Sequence, residues 1–347
     1  MTDSSSKSPP PRHSAPPPKP IVAWLKQHRS RLLLWGRLAV SVSLMALVVM
    51  LVLDNRDELQ NVNWNWIPLA WLLMLVSTLI KALRWSLLVR LSHMGLTYRR
   101  LLGTYLVGAF FSTVLPTSIG GDAVRAVDTA AKTGRVADAT SSVLIERGIG
   151  LLVVIGSGSL FGLFIEAGKV PQVFLLVVHA MFLAGVIGLI FLRQGWFVEP
   201  IAALMTRLRM GKLVDKVRHL QEALSGHLGH PWVLVQMLLL SIVANALTMG
   251  ATYLVLSAVT DPIALASFVP MIALITVAEL IPISIAALGV KESAYIFFLG
   301  LVGVGSAEAG VTAIIMRALV WALALLGGVV YIGRTFGASP KDKTAEV

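Results

Sequence analysis

The stretch "VLPTSIGGDAVR", residues 114–125, closes a long apolar run, "LLGTYLVGAFFSTVLPTSI" (101–119), with a glycine pair, an aspartate and then Arg125. About 20 helical residues are needed to cross the roughly 30 Å of bilayer hydrocarbon. The run approaches that length, yet it meets a proline at Pro116 and turns polar after Gly120. Whether it crosses, or dips in and returns, decides the fold.

Composition sets the frame for that choice. Of 347 residues, 56% are hydrophobic and 14% charged, and the mean hydropathy is +0.80, far too apolar for a soluble chain of this length. The net charge of +11 does not point to nucleic acid, because the basic residues sit in clusters between apolar runs, the pattern of cytoplasmic membrane loops. No cysteine is present, so a disulfide framework, a thiol nucleophile and a thiolate metal site are all excluded.

The opening "MTDSSSKSPPPRHSAPPPKP" is rich in serine and proline and has too little apolar surface to fold. The first apolar run begins near Leu32, is long enough to span and has no small-residue cleavage site, so it reads as a first transmembrane helix and not as a cleaved signal. Spans are expected near 33–53, 66–88, 143–166, 171–192, 232–259 and 309–332. Three shorter or interrupted runs remain, near 101–119, 263–283 and 288–303.

Lysine and arginine placement orients the chain. Before the first span Lys7, Arg12, Lys19, Lys26, Arg29, Arg31 and Arg37 face a single acid, Asp3, which places the N-terminus in the cytoplasm. The acidic loop "DNRDELQNVN" (54–63) falls outside, followed by Trp64 and Trp66 as interfacial anchors, and Arg90, Arg99 and Arg100 return the chain to the inside. If 101–119 crossed, the segment 193–231, with Arg193, Arg207, Arg209, Lys212, Lys216 and Arg218 against three acids, would lie outside, against the positive-inside bias. A re-entrant 101–119 removes the conflict, and its broken backbone is tolerated at membrane depth where it lines a cavity or is buried in protein.

The opening stretch also has an echo. "LPTSIGGDAVR" (115–125) aligns with "IPISIAALGVK" (281–291), matching Pro116 to Pro282, Ser118 to Ser284 and Arg125 to Lys291. Downstream, "ADATSSVLIER" (137–147) parallels "AEAGVTAIIMR" (307–317), matching Arg147 to Arg317. The two blocks in the same order predict an internal repeat, each half carrying a proline-broken helix followed by basic residues. Parity brings the first broken helix in from the inner face and the second from the outer face, so the repeats are expected to be inverted, an arrangement that puts broken helices against a polar substrate. The plainer reading of each single glycine is close helix packing.

A phosphate crossing hydrocarbon needs charge compensation, since an isolated charge there costs at least about 2.5–3.5 kcal/mol. Arg125, Arg147, Lys291 and Arg317 are the candidate donors, with backbone N–H groups at a Gly120–Gly121 turn beside them. For Arg125 and Lys291 the competing reading is snorkelling to the interface. Asp122 is a helix cap or a partner of Arg125, and Glu146 a charge partner of its neighbour. Glu279, inside "ALITVAELIPISI" (273–285), is a candidate for pairing with a headgroup or for proton coupling. His179 and Asn245 read as interhelical hydrogen-bond partners and stay outside the site. The candidate substrate-binding set is Ser118, Gly120, Gly121, Asp122, Arg125, Glu146 and Arg147 from the first block, and Glu279, Ser284, Lys291 and Arg317 from the second.

These blocks, "LPTSIGGDAVR...SVLIERGIGLL" and the looser "IPISIAALGVKESAYIF", resemble the transmembrane flippase-like domain of lysylphosphatidylglycerol synthases and its stand-alone relatives. The resemblance covers about 30–335, and the chain departs from it at Ala286 and Ala287, where the family favours glycine. It implies an all-α polytopic membrane protein that moves a polar-headed or isoprenoid-linked lipid between leaflets of the cytoplasmic membrane. The expected organisation is a disordered basic tail over 1–30, the transmembrane domain over 31–335 (repeats about 66–192 and 232–332) and a short tail over 336–347. With no aminoacyl-transfer domain following, the chain is not expected to make an aminoacylated lipid itself. The expected partners are a membrane lipid and lipid-synthesis enzymes, without nucleic acid, cofactor or metal.

A membrane-embedded transferase, with Asp122, Glu146 or Glu279 as general base, is the rival class, and a scaffold for lipid synthesis is a third. No HExxH pair, P-loop or dinucleotide fingerprint occurs in the sequence. The topology has a direct test. Reporters fused after Arg135 and after Arg218 are expected to read cytoplasmic alike, and a periplasmic signal at Arg135 overturns the re-entrant reading.

Overall fold

The structure is a computed structural model that describes residues 42–54, 59–115, 120–166, 168–196, 198–207, 211–281 and 284–336. The tail expected over 1–30, the start of the span expected over 33–53, and Ser118 and Pro282 lie outside the described residues. Among those described the secondary structure is helical, with no strand.

Helix α1 (Val42–Asp54) is followed by α2 (Ile67–Leu91), α3 (Tyr98–Val114), α4 (Gly120–Thr133), α5 (Val136–Gly162) and α6 (Gln172–Gln194). Then come α7 (Val198–Arg207), α8 (Gly211–Leu228), α9 (Pro231–Val259), α10 (Leu265–Ala278), α11 (Val290–Gly300) and α12 (Ser306–Phe336). Five segments are long and apolar enough to cross a membrane: Trp64–Leu91, Val136–Gly162, Gln172–Gln194, Pro231–Val259 and Ser306–Thr335. They coincide with five of the expected spans. Pro68 and Pro231 stand in the first turns of α2 and α9, where a helix has no use for the missing N–H.

The three interrupted runs form arms of two helical hairpins. At 1.5 Å per residue α3 is about 26 Å long and α4, α10 and α11 are shorter still, so none covers the hydrocarbon by itself. The chain reverses after Leu115, and α4 runs back along α3, so that Gly108 lies against Gly121 and Arg125 while Thr104 meets Asp128. A side chain at Gly121 would overlap the Gly108 carbonyl and the Ser112 hydroxyl, so the two arms touch backbone to backbone. Helices α10 and α11 make the second hairpin, with Glu279 and Lys291 joined across its break. The run 288–303 thus forms the second arm of that hairpin, and the 11 residues of α11 are too few to cross the hydrocarbon alone.

Helices α2 and α9 form the antiparallel centre of the bundle. Asn63 N–H donates to the Ala258 carbonyl at 2.8 Å, Ser77 bonds Thr248 and the Ala244 carbonyl, and Arg84 reaches Ser241, the α9 number falling as the α2 number rises. Hairpin α3–α4 follows the end of α2 and hairpin α10–α11 follows the end of α9, so the two start from opposite ends of the bundle. The packing around them is reciprocal. Arm α3 lies on α12, where a side chain at Gly327 would overlap the Leu106 carbonyl, and arm α10 lies on α5, where one at Gly158 would overlap Ala273.

The expected Gly120–Gly121 turn is the opening turn of a helix. The two glycines are the first residues of α4, both buried, and Gly120 is covered by the Leu115 side chain. The left-handed backbone lies in the second break, at Ala286 (φ 49°), Ala287 (φ 54°) and Gly289 (φ 78°). Alanine in that region costs roughly 1–2 kcal/mol because Cβ crowds the carbonyl oxygen. Ala286→Gly and Ala287→Gly are each expected to raise the melting temperature of the detergent-purified protein. An unchanged or lower melting temperature in both would show the break to be unstrained.

Candidate functional site

The hairpin tips and helices α2, α5, α9 and α12 enclose a cavity of about 510 Å³. Eight of the expected site residues line it: Gly121, Asp122, Arg125, Glu146, Arg147, Glu279, Lys291 and Arg317. Ser284 is buried beside the second break with its hydroxyl unpartnered, and neither it nor Gly120 lines the cavity. Asn245, read from the sequence as an interhelical hydrogen-bond partner outside the site, is part of the wall, and its amide also donates to Ser157 Oγ at 3.2 Å.

Two clusters of ions face this space. The first centres on Glu146, whose side chain is 3% exposed. Its Oε1 accepts from Arg84 and its Oε2 from Arg125 at 3.1 Å. Arg125 also donates to Asp122 at 2.5 Å, and Asp122 accepts from Arg147. The Arg125 guanidinium lies 5.2 Å from the Trp85 ring centroid and 4.5 Å from that of Tyr105, so π-faces and carboxylates together hold it. Arg84 donates further to Ser241 Oγ at 2.6 Å, and Gly150 leaves room for its guanidinium.

The second cluster is built around the break after α10. Lys291 pairs with Glu279 at 2.6 Å. Arg317 Nε donates to Glu292 at 2.6 Å, and its other nitrogens reach the carbonyls of Ala286 and Ala287 at 3.4 and 3.1 Å. The left-handed alanines thus turn their carbonyls to a cation, while Glu292, fully buried, accepts the Gly289 N–H at 2.8 Å and so anchors the start of α11.

Snorkelling does not describe Arg125, whose side chain is 6% exposed and directed into the ion cluster. Lys291 likewise faces the cavity and its carboxylate partner. Lys81 and Arg84 were not singled out from the sequence. They lie inside the apolar segment "LIKALRWSLL" (79–88), and the signal that identifies them is that two ionisable residues occupy a membrane span at all. Six basic residues line the cavity: Lys81, Arg84, Arg125, Arg147, Lys291 and Arg317. Set against Asp122, Glu146, Glu279 and the Glu292 behind Arg317, they leave two positive charges in excess.

A bundle of apolar spans with two inserted hairpins and a charged interior defines a multi-pass membrane protein built to hold polar chemistry between its helices. The chain belongs to the family described as the lysylphosphatidylglycerol synthase TM region, whose model matches residues 34–328. No curated protein and no solved structure matches the chain. Family membership places the protein in membrane-lipid biology.

The ion clusters make a stability prediction. Glu146→Gln strands the buried Arg84 guanidinium, takes one of two carboxylates from Arg125 and is expected to destabilise the protein by about 3–5 kcal/mol. Glu279→Gln leaves only the partly open Lys291 without its partner and is expected to cost less. Thermal unfolding of both variants ranks them, and equal melting temperatures would remove Glu146 from the centre of the network.

Proposed function

We propose that the protein is a lipid flippase of the cytoplasmic membrane, its N-terminus in the cytoplasm, which moves a polar-headed or isoprenoid-linked lipid between leaflets through the cavity shared by the two hairpins. The observation that carries this reading is the excess of positive charge inside an otherwise apolar bundle, at the meeting point of hairpins that start from opposite ends. A headgroup bearing phosphate supplies the missing negative charge, while the acyl or isoprenoid chains stay among the apolar faces. The reciprocal packing of α3 on α12 and α10 on α5 supports an inverted repeat, and with it access from either side.

Transport is favoured over a transferase by the state of the acids. Asp122, Glu146, Glu279 and Glu292 each already hold a basic side chain, and a carboxylate so engaged is a poor general base. Enzymes of lipid synthesis would then be neighbours that make or use the cargo.

Arg147 is the most open of the paired arginines that line the cavity, 29% exposed against 12% for Arg317. Arg147→Ala is therefore expected to leave the protein inserted and to lower surface exposure of the cargo lipid without changing its total amount. Comparison of total and surface-accessible lipid in a deletion strain, in that strain carrying the variant and in wild type tests the proposal. A changed lipid chemistry at unchanged leaflet distribution would favour the transferase, and wild-type distribution in the deletion strain would sink the flippase reading. Full activity of Arg147→Lys would show that a point charge suffices there, without bidentate recognition.

A further inference from the structure

Among the described residues, Lys81 is the one basic side chain of the cavity that no carboxylate holds. The others are all paired: Arg84 with Glu146, Arg125 with Glu146 and Asp122, Arg147 with Asp122, Lys291 with Glu279 and Arg317 with Glu292. Lys81 lies about 15 Å from the end of α2, too deep for an easy reach to the interface. Its ammonium donates to Thr248 Oγ1 at 3.1 Å. The Thr248 hydroxyl is itself committed, to the Ala244 carbonyl at 3.0 Å and Ser77 Oγ at 2.8 Å, so it holds the ammonium in place without neutralising it.

The charge balance isolates this residue further. The cluster around the second break has two basic and two acidic groups and is neutral, and the cluster around Glu146 has three arginines on two acids. Lys81 lines the same cavity as members of both clusters, Arg84 and Glu146 of the first and Lys291 of the second. A lone ammonium at this depth is costly even on the mildest insertion scale, and it contributes no ion pair to the fold. No carboxylate among the described residues offsets that cost by pairing with it.

We propose that Lys81 is the anion-binding residue of the cavity, its ammonium pairing with the phosphate of a lipid headgroup while Thr248 and Ser77 hold it in position. A lysine suits the task because it presents a compact point charge with free N–H donors, where each arginine of the cavity is already engaged by carboxylate. This inference rests on the cavity being a lipid-headgroup site and is independent of whether the bound lipid then changes leaflet.

The test uses the full chain in neutral detergent, with Lys81→Met and Lys81→Arg, and follows melting temperature as phosphatidic acid is titrated in. Diacylglycerol, the same lipid without phosphate, and inorganic phosphate are run beside it. Without lipid, Lys81→Met is expected to melt at or above the wild type, because an uncompensated buried charge has been removed. Phosphatidic acid is expected to stabilise the wild type and Lys81→Arg, and to bind Lys81→Met on the order of tenfold more weakly. Diacylglycerol is expected to shift none of them.

Three results overturn the proposal: phosphatidic acid binding Lys81→Met as tightly as wild type, a lipid-free Lys81→Met that melts lower or cannot be recovered folded, and inorganic phosphate alone reproducing the full stabilisation, which would make the ligand a soluble phosphate. A leaflet assay that finds no lipid movement while Lys81-dependent binding persists would defeat the translocation reading and leave this one standing.

Discussion

A charge inside the hydrocarbon must find a counter-charge, and the architecture of this protein is organised by that requirement. Glu146 meets it for two helices at once, taking Arg84 from α2 and Arg125 from α4 on its two oxygens. Because the alternative to the ion pair is an unpaired charge with no water to solvate it, the pairs fix where the helices meet. Arg125 ties the first hairpin to the bundle through Glu146 of α5 and the face of Trp85 of α2, and it stacks on Tyr105 of the neighbouring arm. Arg317 does the same for the second by clamping Glu292 and the carbonyls of Ala286 and Ala287.

Small residues solve the complementary problem of bringing backbones close enough for those pairs to form. Gly108 with Gly121 seats α4 on α3, Gly327 lets α12 meet Leu106, and Gly158 admits Ala273 of α10. With lipid tails as apolar as the side chains, close van der Waals packing is a main source of attraction between such helices, and a Cβ at these positions would remove it. The two hairpins reach comparable geometry by different means. The first relies on glycine packing at the start of α4, and the second accepts left-handed alanines because their carbonyls satisfy a buried arginine.

The cavity that results has a mixed lining, its charged side chains standing beside apolar ones such as Leu151, Val154, Ile272 and Val320. Helix α6 lies at the outer limit: of its 23 residues Val178 is the buried one, Phe174, Leu175, Met181 and Phe182 pack partly buried on the core, and much of the rest is exposed and apolar. Two regimes of electrostatics follow, the exposed pair Lys169–Glu166 that solvent screens and the internal network that it does not.

By itself the sequence was enough to establish a polytopic helical membrane protein, five of its spans and the short, interrupted helices that flank the segments holding Pro116 and Pro282. Span length, hydropathy and lysine–arginine bias are one-dimensional quantities, read without knowing what packs on what. The aligned blocks also brought Arg125, Arg147, Lys291 and Arg317 forward as the basic residues of interest, and all four line one cavity. Only the tertiary structure decided what each charge does. Arg84 and Glu146 are far apart in sequence and in contact in space, so nothing in spacing makes Arg84 a partner and leaves Lys81, three residues earlier, without one. The same holds for Gly121, which reads equally well as part of a turn or as a packing surface until the Gly108 backbone is seen against it. The role of an ion in a membrane depends on its distance to the nearest opposite charge, and that distance is set by helix packing.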